Sequence, residues 1–111
     1  MPLINITTSK KVLAKQNLLE GCSKLLANLT CKPEKFVMVL LNESIPMHFA
    51  GNDSPCCFAE IKSIGSIDPA IMAKSISEYL SSELQIPVDR IYLNFEDIKA
   101  SMWAWNGYPF G

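Results

Sequence analysis

Two halves of this chain echo one another, and that repeat limits the fold more than any single motif. The strand-like run that starts at Pro2 (PLINIT) has a counterpart starting near Cys57, within CCFAEIKSI. The run FVMVLLNE, starting at Phe36, has a counterpart in IYLNF, starting at Ile91, and both offsets are 55 residues. A helical pattern separates the strands of each half. In the first half Val12, Leu18, Leu19, Cys22, Leu25, Leu26 and Leu29 recur at three- and four-residue steps, with Lys11, Lys15, Glu20 and Lys24 mostly on the other face. That spacing predicts an amphipathic helix within 10–30, with Ser9 as its N-cap and Pro33 marking its end. In the second half Asp68 and Pro69 form a helix start, and Ile71, Met72, Ile76, Tyr79, Leu80 and Leu84 supply the buried stripe.

Each half therefore reads strand–helix–strand, with a proline (Pro33, Pro87) between the helix and the second strand. Such a unit closes as a right-handed crossover. Two of them predict an α/β (α+β) single domain over 1–111: two β-α-β pseudo-repeats, a four-stranded mixed sheet, and both helices on one face. The almost unbroken apolar run at 36–43 suggests burial on both faces, as in a parallel pair. Residues 44–55 read as loop, with a short strand at MHFA. Strands this apolar should not leave the second sheet face bare, which predicts oligomerisation.

Composition narrows the function classes. Net charge is −1, and the lysines and arginines are spread along the chain. Nucleic-acid binding usually needs a basic face, and a membrane anchor a polybasic cluster; neither is expected here. No apolar run reaches the roughly 18 residues of a membrane span. PLINI is too short for a signal-peptide core, so a cytoplasmic location is expected. Cys22, Cys31, Cys56 and Cys57 lack zinc-like or paired CxxC spacing and read as free thiols, with Cys56 and Cys57 on opposite faces of a strand. His48, the only histidine, has no second ligand at metal-binding spacing. With no phosphate-cradling glycine loop either, neither metal nor cofactor is expected.

Pro2 on its own is an ambiguous strand residue. Set beside TCKPEKFVMVLL, SPCCFAEIKSIG, PVDRIYLNFED and the terminal WNGYPFG, in this order and spacing, the chain resembles the macrophage migration inhibitory factor family of the tautomerase superfamily. The resemblance runs from end to end. It implies a symmetric homotrimer around a solvent channel, with active sites at the subunit interfaces. It implies cofactor-free keto–enol tautomerase activity towards aryl pyruvates such as phenylpyruvate.

The resemblance also assigns roles. Pro2, freed by removal of Met1, would be the catalytic base, and an apolar pocket with a nearby cation would lower its pKa. Lys32 would bind the substrate carboxylate, and Ile64 would offer its backbone N–H beside Gly65. Tyr92 and Asn94 would reach into the site of the neighbouring subunit. Phe36, Trp103, Trp105 and Phe110 would form the apolar walls around the aryl ring. Departures from the family pattern are Ala59 in place of the second cysteine of a CxxC, acidic Glu96 in place of an aromatic, and a bulky Trp103 in place of an aliphatic residue. The first removes any expectation of thiol-oxidoreductase activity. The competing reading is a binding module of the same family, cytokine-like, with vestigial catalysis and a receptor as partner.

Overall fold

The structure is a computed structural model that describes all of residues 1–111. Its elements run β1 (Leu3–Thr8), α1 (Lys15–Thr30), β2 (Met38–Asn42), β3 (Cys57–Ser63), α2 (Pro69–Leu84), β4 (Ile91–Asp97), and a terminal hairpin of β5 (Ala104–Trp105) and β6 (Tyr108–Pro109). The four long strands form one sheet in the order β2-β1-β3-β4. β1 is parallel to β2 and antiparallel to β3, and β3 is parallel to β4. Both helices lie on one face. Ile4, Ile6, Ala59 and Ile61 of the central strands pack there against Leu18, Cys22 and Leu26 of α1 and Met72, Ile76 and Leu80 of α2.

The internal repeat is real, but its offset is not uniform. Ile4, Ile6 and Thr8 face the helices as Ala59, Ile61 and Ser63 do, 55 residues later. The buried helix positions Leu18, Cys22, Leu26 and Thr30 match Met72, Ile76, Leu80 and Leu84 at 54. The link between strand and helix is one residue longer in the first half. Side chains alternate along a strand, so a one-residue slip exchanges its faces. Val37, not Phe36, is therefore the counterpart of Ile91.

Five local expectations are corrected. α1 begins at Lys15, because Ser9 continues the β1–β3 edge: its hydroxyl accepts from the Cys56 N–H at 3.1 Å, and its own N–H donates to the Cys56 carbonyl at 3.3 Å. Residues 10–14 form a link whose Val12 N–H donates to Glu43 Oε1 at 2.8 Å. β2 begins at Met38, after a 3-10 turn over Glu34–Phe36. It is an edge strand with Met38 and Leu40 exposed, so the apolar run is not buried on both faces of one chain. Ile71 is exposed too, outside the buried stripe of α2. At MHFA only a single bridge forms, between Phe49 and Asn52.

The sheet face away from the helices is more polar than the strand sequences imply, since alternation sends most of their apolar side chains inward. Asn5 donates to Glu60 at 3.4 Å, Asn42 donates to Asn5 at 2.8 Å, and Lys62 stands 4.0 Å from Glu96.

Candidate active site

Strand direction gathers three chain segments at one end of the sheet. Leu3 pairs with Met38 of parallel β2 and with Lys62 of antiparallel β3. Continued by one and two residues, this register sets Pro2 beside Val37 and Ser63, and Met1 beside Phe36 and Ile64. The Pro2 carbonyl accepts from the Met38 N–H at 3.1 Å. Pro2 itself is fully buried. Against it lies a cavity of about 250 Å³, lined by Met1, Phe36, Met38, Trp103, Trp105 and Phe110 among others.

The C-terminal hairpin and the residues that flank it supply part of these walls. Asn106 (φ 52°) and Gly107 (φ 87°) make its turn, and two successive positive φ angles are what a type I′ hairpin turn requires. Phe110 N–H donates to the Trp103 carbonyl at 2.9 Å and returns the chain to the cavity. Trp105 meets Phe36 edge to face, with centroids 6.3 Å apart and planes at 89°. The Asn-Gly pair carried the sequence signal for this hairpin; aromatic content alone did not reveal it. Met38 also joins the walls without having been expected there, although it lies two residues along the strand direction from Phe36.

Electrostatics at this end favour a neutral amine. The Met1 amine is held below its ordinary value of 8.0, first by burial and second by the charge of Lys32. Lys32 is fixed by a Schellman closure of α1, in which Cys31 takes a left-handed φ of 55°. The Cys31 N–H donates to the Asn28 carbonyl at 3.3 Å and the Lys32 N–H to the Ala27 carbonyl at 3.1 Å. Lys32 lines a separate open cleft rather than the cavity itself. The charged side chain on the cavity wall is Lys35, whose ammonium lies 5.0 Å from the centre of the Phe36 ring. Pro2 follows Met1 in this structure, so its nitrogen is a tertiary amide without basic character.

The remaining expected residues are not in the lining of this cavity. Ile64 is half-buried at the end of β3 and is not in the lining. Next to it, the Ser63 hydroxyl is buried without a hydrogen-bond partner. Tyr92 pairs with Phe58, which pairs with Thr7, five residues along β1 from Pro2. At about 3.3 Å per residue that is roughly 16 Å along the sheet. Asn94, aligned with Glu60 and Asn5, is nearer but exposed on an edge strand. Neither residue lines the Pro2 cavity of its own chain.

No group of three or more His, Cys, Asp or Glu side chains is placed to hold a metal ion, and His48 is exposed in its loop. All four cysteines are free, and Cys31 alone is exposed. Cys56 and Cys57 are both buried, although only Cys57 joins the core beneath the helices. Burial pushes the Cys22 and Cys57 thiols up to about 12, which leaves them protonated and unreactive near neutral pH.

A family model described as macrophage migration inhibitory factor matches residues 1–111. A macrophage migration inhibitory factor homolog of Brugia malayi is 38% identical over 96 residues, covering 84% of each chain. The Mus musculus macrophage migration inhibitory factor is 31% identical over 99% of each chain. Among solved structures, the homologue from Prochlorococcus marinus superposes with a TM-score of 0.94 at 43% identity, covering 98% of this chain and 99% of that one. The Trichinella spiralis protein superposes with a TM-score of 0.90 at 28% identity, covering 97% and 99%.

Proposed function

The chain belongs to the macrophage migration inhibitory factor family, and from that premise we propose that it is a keto–enol tautomerase of aryl pyruvates, working as a homotrimer with Pro2 as its base. Tautomerisation moves one proton between a carbon and the enol oxygen, so a single base that takes it from one atom and returns it to the other is sufficient. The base is the secondary amine that Pro2 acquires when Met1 is removed. An unperturbed α-amine titrates at about 7.7–8.0, and a general base works best near the operating pH. At this end of the sheet, burial and the Lys32 charge both disfavour a protonated amine.

Lys32 pairs with the substrate carboxylate. Phe36, Trp103, Trp105 and Phe110 hold the aryl ring. Ile64 offers its backbone N–H, while Tyr92 and Asn94 come from the neighbouring subunit and close the site. The observation that carries this reading is the aromatic-walled cavity of about 250 Å³ built directly against a buried Pro2.

The test is phenylpyruvate ketonisation by the native chain and by Pro2→Gly, both verified by intact mass to lack Met1. Glycine keeps an α-amine but loses the secondary amine and its fixed ring. The expected loss in kcat/KM is about 100-fold or more, the scale of a displaced general base. Equal rates would remove Pro2 from the mechanism.

A further inference from the structure

The loop joining β2 to β3 has almost no regular structure, yet it is tied down tightly at one point. Arg90, the last residue of the 3-10 turn before β4, directs its guanidinium at three backbone carbonyls of that loop. Nη2 donates to Ser54 at 2.7 Å, Nη1 to Phe49 at 2.8 Å and Nε to Pro55 at 3.3 Å. Its guanidinium carbon also lies over the Phe49 ring, 5.0 Å from the centroid. Phe49 opens a two-residue turn closed by paired bonds with Asn52, at 2.9 and 3.2 Å. Within the turn Ala50 is held at φ 54° and Gly51 at φ 78°. A left-handed alanine is unfavourable, so the turn depends on what surrounds it.

The Phe49 ring makes a second contact, with Tyr92. Its centroid is 4.6 Å from that of Tyr92, with the planes at 58°. Tyr92 is 62% exposed, and its ring packs against that of Phe49. Arg90, Phe49 and Tyr92 thus form a chain of contacts that starts at a fixed backbone fork and ends at an exposed phenol.

We propose that Arg90 is a positioning residue for the aryl-binding site: it fixes Phe49, which orients Tyr92 towards the Pro2 cavity of the neighbouring subunit. This rests on the reading of Tyr92 given under the proposed function. A lysine could not replace the arginine, because a single ammonium has neither the planar fork nor the face that stacks on Phe49.

The experiment is steady-state phenylpyruvate ketonisation by the native chain, Arg90→Lys, Phe49→Leu, Pro2→Gly, Tyr92→Ala and the double variant Arg90→Lys/Tyr92→Ala. Arg90→Lys and Phe49→Leu should each raise KM about three- to tenfold, the scale of one lost aromatic contact. Their kcat should stay within about twofold and their pH–rate profile unchanged, because the base is untouched. In the Tyr92→Ala background Arg90→Lys should add nothing, a coupling that general loosening of the fold would not produce. Unchanged KM in both single variants, or full additivity with Tyr92→Ala, overturns the proposal. Should Arg90→Lys not fold, Phe49→Leu alone decides. An inactive Pro2→Gly beside a native-like Phe49→Leu rejects this inference and leaves the tautomerase reading standing. A native chain without activity rejects both.

Discussion

On the proposed reading, Pro2 and Lys32 contribute by different routes, one by position and the other by field. Pro2 is buried at the start of β1, where the register of β2 and β3 fixes its neighbours. Lys32 lies outside the cavity lining, but its charge acts on the amine at the chain start, after burial as the larger influence. Removing that charge should favour the protonated amine and raise its pKa. In Lys32→Gln the acid limb of the kcat/KM profile should therefore move to higher pH, and KM should rise by about tenfold or more as the carboxylate loses a charged partner. A limb that stays in place, measured as kcat/KM against pH, would mean that Lys32 does not tune the base. Lys35 shows where residue type alone is insufficient: TCKPEKF contains two lysines, and only the folded chain shows which one lines the cavity.

At the scale of elements, the link before α1 is where local sequence and fold disagree. Ser9 has the chemistry of an N-cap, but Cys56 of the neighbouring strand end offers it both a donor and an acceptor, and the helix starts later. Glu43, just after β2, holds that link through the Val12 N–H and a 2.9 Å ion pair with Lys15. Its carboxyl is held below the ordinary value of 4.5, first by the Val12 N–H and then by Lys15. A carboxylate with a depressed folded pKa stabilises above its unfolded pKa, and that contribution disappears as pH falls through the folded pKa. Glu43→Gln should accordingly lower the denaturation midpoint at pH 7 and leave it near native in strong acid; an equal deficit at both pH values would contradict this. The paired strand–helix–strand units were legible because period-two and period-3.6 patterns are local. The edge position of β2 was not, since an exposed Met38 and a half-buried Val39 read alike as apolar residues. Nor was the one-residue difference between the strand–helix links, which exchanges the faces assigned to β2 against β4.

For the whole molecule, the sheet order places β2 and β4 at open edges and keeps Tyr92 roughly 16 Å along the strands from Pro2. A site that uses both residues must be assembled from two copies. Sedimentation should give three times the chain mass of 12.3 kDa, and a monomer at assay concentration would contradict the shared site. Pro2, Phe36, Trp103, Trp105 and Phe110 meet in one cavity, whereas Ile64, Tyr92 and Asn94 are outside its lining; on the proposed reading the last two belong to the site of a neighbouring copy. The central claim is that the Pro2 nitrogen is the base, and it depends on Met1. The most direct measurement follows phenylpyruvate ketonisation while an aminopeptidase removes Met1 from a preparation that retains it, with intact mass read at each time point. Activity should rise in proportion to the fraction of chains that begin at Pro2. Full activity in chains that still carry Met1, whose Pro2 nitrogen is an amide, would contradict the account.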